Sequence, residues 1–295
     1  MPVIKRTSHF MTEDEIYARS HSVFAQAPHE SRSDRYAYIP TIEVLRALAK
    51  EGFGVTSVQE ATTRKPGKRE YTKHLLRLRH RGGDDSLAMK TLNSQPEIVL
   101  LNSHDGSCSY RLYAGIIRFA CCNGLIVADG PATRGLSVHH KGDVAGEVIE
   151  GSYRVLDESR TAMDAALEWS GIELDRTEQL LLAEAARDAR FAPKPGELER
   201  DRVDPATLLR DYKRRPADKG NDLWMTMNRI QENITDGNMG QRTSRNAQGY
   251  ITQRRKPGGL GGIDKTVSVN RAIWSCAETM AEKLDAYHAR KMADA

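Results

Sequence analysis

The 295-residue chain has only four cysteines, Cys108, Cys121, Cys122 and Cys276, and no two of them are spaced C-x-x-C. That argues against a dithiol redox motif and against the usual close ligand pair of a structural zinc site. Adjacent Cys121 and Cys122 would point to different faces of one helix, so all four are expected as buried or half-buried thiols of a reducing compartment. No apolar stretch approaches the roughly eighteen residues a membrane helix needs. The N-terminal MPVIKRTSHFMTEDEIYARSHSVFAQ has no signal-peptide core either, so a cytoplasmic protein without a membrane partner is expected. Neither GxxxxGK[ST] nor GxGxxG occurs, and the glycines of KPGGLGG lack the Lys-Ser/Thr of a phosphate loop. No nucleotide cofactor is therefore expected. Internal repeats are missing, which removes solenoids and propellers. Excess charge is small as well: the net charge of +4 decides nothing about nucleic acid by itself.

What is present is an ordinary globular composition, 39% hydrophobic and 28% charged. Residues 1–35 are polar and read as a flexible segment with a short helix near Glu13–Ser20. An α+β core follows over 36–190. Thr41 is a good N-cap for a helix with Leu45, Leu48 and Ala49 on one face, ended by Gly52. A strand from Phe53 to about Ala61, a turn at Pro66-Gly67 and a returning strand through KHLLRLRH form a hairpin. Glu97–Leu101 makes a third strand of an antiparallel three-stranded meander. A crossing helix is expected over 108–122, ended by Asn123-Gly124, and Leu125–Val127 and Leu136–His139 read as further strands. After about Asp143 the pattern turns helical, with Leu156, Met163 and Leu167 inward on one helix and Leu182, Ala185, Ala186 and Ala189 on the next. Residues 191–221 read as a charged connector, and 222–295 as a helical region with stripes Leu223/Met227/Ile230/Ile234 and Ile273/Ala277/Met280/Leu284. Strands first and helices after are the pattern of an α+β fold with a mainly helical C-terminal half. Trp169, Trp224 and Trp274 are expected as packing anchors.

Three stretches carry chemistry. From Arg64 to Arg81 there are eight cations, Arg64, Lys65, Lys68, Arg69, Lys73, Arg77, Arg79 and Arg81, against one acid, Glu70. Leu76, Leu78 and His80 would share one strand face and Arg77, Arg79 and Arg81 the other. Side chains two apart on a strand stand about 6.8 Å from each other, near the phosphate repeat of an extended nucleic acid strand. Such a ridge would track a backbone without reading bases. The bland alternative is a solvated or edge-protecting charged face. A second cationic stretch over 237–263 holds Arg242, Arg245, Arg254, Arg255 and Lys256, seven glycines, one tyrosine and no acid. It reads as a flexible arm that closes over phosphates, or as a plain disordered linker.

The third is Asn102-Ser103-His104-Asp105-Gly106-Ser107, where an apolar strand meets the expected helix. Backbone N–H groups at that helix start would favour an anion, with Arg111 and Arg118 on one helix face about two turns apart. Asp105 or Ser107 would serve equally well as a simple cap. Catalytic readings exist beside this: a thiol nucleophile at Cys108, a zinc site from His104, Cys108, His139 and His140, or a nuclease using Asp105, Asp129 and Asp143. None has the ligand or carboxylate clustering its chemistry needs, so no metal is assigned. Asn228, Gln231, Glu232 and Asn233 are polar residues beside apolar ones, with the sheet or the cationic arm as partners.

Taken together, YIPTIEVLRAL, KHLLRLRH, LNSHDGSCSYRLYAGIIRFACCNGLIV, LWMTMNRIQENI and VNRAIWSCAETMAEKL resemble a bacterial family, domain of unknown function 932, over roughly Tyr36–Leu284. Its members are often labelled plasmid- or phage-like, so the resemblance implies a mobile-element setting and transfers no catalytic residue. The element order, a helix, a three-stranded meander and a crossing helix, is also similar to the core of the Rad-fifty-two superfamily of single-strand annealing proteins. The expected function is binding of single-stranded DNA or other nucleic acid by a homo-oligomer, assisting annealing or recombination, more in the manner of a binding protein than an enzyme. The rival expectations are a nuclease or hydrolase centred on the Asn102–Ser107 loop, and a protein-binding inhibitor of a host defence factor.

Overall fold

The computed structural model describes residues 10–27, 39–64, 67–82, 86–120, 124–127, 136–138 and 144–293. The chain forms two compact units, Met1–Asp164 and Ala165–Ala295.

The first unit begins with α1 (Glu13–Tyr17), started by a capping box in which Thr12 and Glu15 satisfy each other's backbone N–H. Helix α2 (Thr41–Lys50) buries Ile42, Val44, Leu45 and Leu48. Thr41 is its first helical residue and Pro40 stands at the cap, so Thr41 does not cap the helix; its side chain is buried and bonded elsewhere. Gly52, with φ +86°, stops the helix where a side chain would be strained. Strands β1 (Phe53–Glu60) and β2 (His74–His80) form the expected hairpin, with a short 3-10 turn at Arg69–Tyr71. The short α3 (Leu87–Leu92) leads into β3 (Ser94–Asn102), which pairs antiparallel with β2.

The expected helix over 108–122 is strand β4 (Tyr110–Arg118). Strand β3 pairs with one edge of β4, while β5 (Gly124–Ile126) and β6 (Leu136–Val138) share the other, along Gly115–Ile117 and Tyr110–Leu112 respectively. This strand is buried on both faces along most of its length, with Tyr110, Leu112, Tyr113, Ala114 and Ile116 all inside. It therefore lacks the polar-apolar alternation that marks a half-exposed strand. Gly124, taken for the helix end, is the first residue of β5, and Asn123 lies outside the described residues.

A helix does cross the sheet, but it is α4 (Val144–Trp169). Its Ser159 hydroxyl accepts from the Gly115 N–H at 3.3 Å and donates to the Glu97 carbonyl at 2.8 Å. Its Gly151 sits so close to β6 that a Cβ would stand 1.9 Å from a Leu136 methyl. Leu76, Leu100, Leu112 and Ile116 are fully buried, and each such side chain contributes roughly 1.5–3 kcal/mol. The result is a six-stranded antiparallel sheet in meander order, β1-β2-β3-β4-β5, with β6 beside β5 on β4.

The second unit holds the end of α4, then α5 (Arg176–Arg190), α6 (Leu223–Asp236), a two-stranded ribbon of β7 (Arg242–Arg245) and β8 (Ile251–Arg255), and α7 (Ile263–Ala293). Leu223, Met227, Ile230 and Ile234 of α6 are fully buried, as their spacing predicts. On α5 the inward face is rotated from the expected one: Leu182, Ala183, Ala186 and Arg187 are buried while Ala185 and Ala189 are exposed. Arg187 is buried because Glu184, Asp188 and Glu199 surround its guanidinium. Residues 191–221 carry 3-10 turns at Glu199–Asp201, Pro205–Leu209 and Pro216–Asp218 and are mostly exposed, with burial concentrated at Asp201–Val203 and Thr207–Leu209. Trp169 and Trp274 meet at 4.5 Å between ring centres, and Trp224 is buried, each a packing anchor. The polar residues of α6 find partners within their own unit other than the ribbon. Asn228 holds the Trp224 carbonyl, Gln231 holds Asn270 of α7, Glu232 pairs with Arg215, and Asn233 holds the carbonyls of Leu208 and Arg210.

Candidate nucleic-acid interface

The strand alternation of KHLLRLRH is as expected, yet its arginines do not form an open ridge. Arg77 donates to Glu97 at 3.0 Å and to the Gly124 carbonyl at 2.8 Å. A Cβ on Gly124 would lie 2.0 Å from the guanidinium. Arg79 stands 3.7 Å from the other Glu97 oxygen, bonds Gln95 at 3.0 Å and lies over the Phe119 ring. Glu97 is 1% exposed, so one buried carboxylate organises two half-buried arginines. Both arginines are thereby removed from any phosphate track. Arg81 is exposed beyond the strand, over the Phe10 ring at 4.9 Å.

Arg111 and Arg118 are also separated. An odd spacing on a strand puts them on opposite faces, and Arg111 is exposed while Arg118 is buried. Of the remaining hairpin cations, Arg64 and Arg69 are exposed and Lys68 and Lys73 half-buried, near the same end of the sheet as the Asn102–Ser107 loop. Lys65 lies outside the described residues.

In that loop Asn102, Ser103 and His104 are fully buried. Ser103 Oγ accepts from the Cys108 N–H at 2.8 Å, and Asp105 accepts from the Ser107 N–H at 2.9 Å, an Asx turn. No helix follows, so the expected anion site at a helix start does not form. Partial burial pulls the Asp105 carboxyl upward, but hydrogen bonds from Ser107 and Ser103 and the Lys68 charge outweigh it and hold the group below its ordinary value.

Behind the loop lies a buried polar network that spacing alone does not reveal. Thr41 Oγ1 is its hub, 2.9 Å from His74 Nε2, 3.1 Å from His104 Nε2 and accepting from Asn102 at 3.0 Å. His74 Nδ1 is 2.9 Å from Ser22 Oγ, and the Ser22 N–H donates to Glu60 at 2.9 Å. The Tyr110 hydroxyl adds a bond to the Ile39 carbonyl. Burial pushes the His74 imidazole down to about 4, against a raising bond to the Thr72 carbonyl. Six separate stretches, at Ser22, Ile39–Thr41, Glu60, His74, Asn102–His104 and Tyr110, are tied together here, which fits a structural role for His74 and His104. Cys108 is buried, and Cys276 is half-buried with burial pushing its thiol up. Among the described residues no group of three His, Cys, Asp or Glu side chains is placed to hold a metal. His139, His140, Asp129, Asp143, Cys121 and Cys122 lie outside them.

The second unit presents the more open cationic surface. The stretch expected as a flexible arm is the β7–β8 ribbon, closed by an Asn246–Tyr250 turn in which Asn246 Oδ1 accepts from Gln248 and Tyr250. Its inner strand is pinned by acids from the supposed connector. Arg242 is bidentate on Glu197 at 2.7 and 2.8 Å, and Arg245 on Asp201 at 2.6 and 2.9 Å. Arg190 holds the ribbon's base through the Gly258 and Gly259 carbonyls. There Gly237, at φ +76°, comes so close that a Cβ would lie 2.5 Å from the Gly259 nitrogen. The outer strand is open: every residue from Ile251 to Lys256 is exposed, Arg254, Arg255 and Lys256 among them, and Tyr250 at the tip is 72% exposed. The missing acids of 237–263 are thus hydrogen-bonded to β7, while the Asp201 charge also acts on Arg254 of β8. Converting both anchors, E197Q/D201N, is expected to speed hydrogen exchange of the β7 amides about tenfold, the equivalent of about 1.4 kcal/mol. Unchanged exchange would show that the ribbon stands without them.

Fold and surface define a class: an α+β protein with an antiparallel meander sheet crossed by a helix, a helical C-terminal unit, and a cationic β-ribbon on that unit. The family model described as a domain of unknown function, DUF932, matches residues 28–274, and the chain belongs to that family. It is similar to the UPF0380 proteins YafZ and YfjQ of Escherichia coli (strain K12), each 41% identical over 280 residues that span 93% of this chain and 93% of the relative. No solved structure matches the chain. The likeness to the Rad-fifty-two superfamily core is therefore without support, and the crossing helix it leaned on is strand β4. No helix among the described residues is long and apolar enough to cross a membrane.

Proposed function

We propose that this protein binds single-stranded nucleic acid, with the outer strand of the β7–β8 ribbon as the principal contact. The observation that carries the reading is the partition of charge on the ribbon. Arg242 and Arg245 are neutralised by Glu197 and Asp201, whereas Arg254, Arg255 and Lys256 stand exposed on a strand held in place. Strand alternation puts Arg254 and Lys256 on one face about 7 Å apart, the repeat of successive phosphates, with Arg255 reaching out from the other face, and exposed Tyr250 offers a base a stacking face. Arg64 and Lys68, exposed and half-buried in the first unit, are further cations for the same kind of ligand. Binding of this sort needs no covalent chemistry, because cations that neutralise two strands also assist their pairing; annealing in a cytoplasmic, mobile-element setting is the role we assign to it.

The test is fluorescence anisotropy of a labelled single strand of about 30 nucleotides, beside its duplex, at one low salt concentration. Wild type is expected to prefer the single strand, and R254A/R255A/K256A to bind it at least tenfold more weakly with an unchanged circular dichroism spectrum. Equal affinity of the two proteins, or no binding by wild type, would overturn the assignment.

A further inference from the structure

The stretch Arg210-Asp211-Tyr212-Lys213-Arg214 of the second unit is exposed throughout, Tyr212 by 41%. It is nonetheless held in a definite turn. Asn233, buried on α6, donates to the carbonyls of Leu208 and Arg210 at 2.8 and 2.9 Å, and the Tyr212 N–H donates back to the Arg210 carbonyl at 3.1 Å. Asp211 accepts from the Arg214 N–H at 2.6 Å. The Asp211 carboxylate is thereby turned onto backbone and Lys213 is paired with Asp236 at 3.1 Å, while Arg210 and Arg214 have no ion-pair partner among the described residues.

Arg214 closes this turn at φ +52°, in the left-handed region where glycine is the unstrained residue. The turn itself uses only the Arg214 backbone N–H, so nothing in its own bonding calls for a guanidinium at that position. Side chains held in this region against their preference gather at ligand sites. The turn also stands where the ribbon leaves α6. Lys213 reaches Asp236, the last residue of that helix. The Leu260 N–H donates to the Thr235 carbonyl at 2.9 Å, and a Cβ on Gly259 would lie 2.3 Å from the same oxygen. On the entering side the Gly240 N–H donates at 2.9 Å to the hydroxyl of Thr207, just before Arg210. The end of α6 thus carries the turn and the base of the ribbon together.

On the single-strand reading proposed above, we infer that the Arg210–Arg214 turn is a second contact for the strand that β8 binds, with Arg210 and Arg214 on phosphates and a base stacked on Tyr212. The order cation, aromatic, cation suits a single strand, whose backbone and bases are both open to the protein. A duplex, with its bases paired inward, would leave Tyr212 without a partner. Lys213 anchors the turn through Asp236 and takes no phosphate.

The experiment compares the full chain, R254A/R255A/K256A and R210A/R214G by anisotropy with the labelled single strand at several salt concentrations. It also crosslinks wild type to a strand carrying 5-iodouracil, which couples on irradiation to a tyrosine stacked on it. R210A/R214G is expected to bind about tenfold more weakly, with a slope of log K against log salt flatter by about 1.4 for two lost phosphate contacts. Its unfolding midpoint should be unchanged or higher, since Arg214→Gly relieves the left-handed backbone. Tyr212 is expected among the crosslinked residues. Wild-type affinity in R210A/R214G, with R254A/R255A/K256A weakened, overturns the second contact and leaves the ribbon standing. The reverse pattern overturns the ribbon's role and leaves the turn as a contact. No binding by wild type overturns both. A weakened R210A/R214G with a lowered midpoint and no crosslink at Tyr212 would show that the arginines only shape the turn, and would overturn the inference.

Discussion

Glu97→Ala is expected to destabilise the protein by about 3–5 kcal/mol, the largest single-residue effect in the first unit. Glu97 is almost fully buried on β3, with Arg77 at 3.0 Å on one oxygen and Arg79 at 3.7 Å on the other. Removing the carboxylate takes the buried negative charge from between two mostly buried guanidinium groups, leaving Arg77 on the Gly124 carbonyl and Arg79 on Gln95. The cost lies in that stranded charge more than in the lost attraction. Replacing Arg77 alone is expected to cost less, because Glu97 keeps Arg79 and the Thr56 hydroxyl as partners. Urea unfolding followed by circular dichroism measures both. A Glu97→Ala midpoint within about 1 kcal/mol of wild type would mean that the arginines escape to solvent, and the open ridge expected from the strand pattern would return as a reading.

Acidification is expected to remove about 3 kcal/mol between neutral pH and about pH 4 through His74 alone. The imidazole titrates near 6.5 in the unfolded chain and about 4 in the folded one, where burial disfavours its charged form. In that window the unfolded state binds the extra proton, so stability rises with pH. The contribution is complete above 6.5 and is lost as pH falls towards the folded value. The ionisable groups around His74 are His104, with ring centres 5.4 Å apart, and Glu60 behind Ser22. His74→Gln keeps a polar side chain, and its unfolding free energy should fall less steeply over the same pH range. Parallel slopes for the two proteins would show that His74 is not the group that titrates.

Much of this architecture is legible in the chain because exposed or half-exposed elements show their period. The β1–β2 hairpin belongs here, as does the turn of the chain to helix after 143, whereas the α6 stripe shows because Asn228, Gln231 and Asn233 break the apolar run even though they are buried with hydrogen-bond partners. Strand β4 is not legible, since burial on both faces erases the alternation, and Tyr110, Leu112 and Ile116 suit either period. Charge misleads for a different reason. The sequence around Arg77 and Arg79 shows a single acid in eighteen residues, but their counter-ion is Glu97, brought alongside only by strand pairing. The ribbon repeats the lesson. A stretch without acids reads as a mobile arm until Glu197 and Asp201, some forty residues upstream, are placed against β7. The hub at Thr41 was hidden because a threonine at a helix start looks like a cap, and only the fold brings His74, His104 and Asn102 to its hydroxyl.

The central claim is that the outer strand of the ribbon meets phosphates, and the salt dependence of binding tests it most directly. Each phosphate contact on a single strand contributes about −0.7 to the slope of log K against log salt concentration. Three cations, Arg254, Arg255 and Lys256, should therefore account for about 2 units of slope between wild type and R254A/R255A/K256A. A flatter slope of that size, with affinities converging at high salt, is the result the account predicts. Identical slopes would place the contacts elsewhere and contradict it.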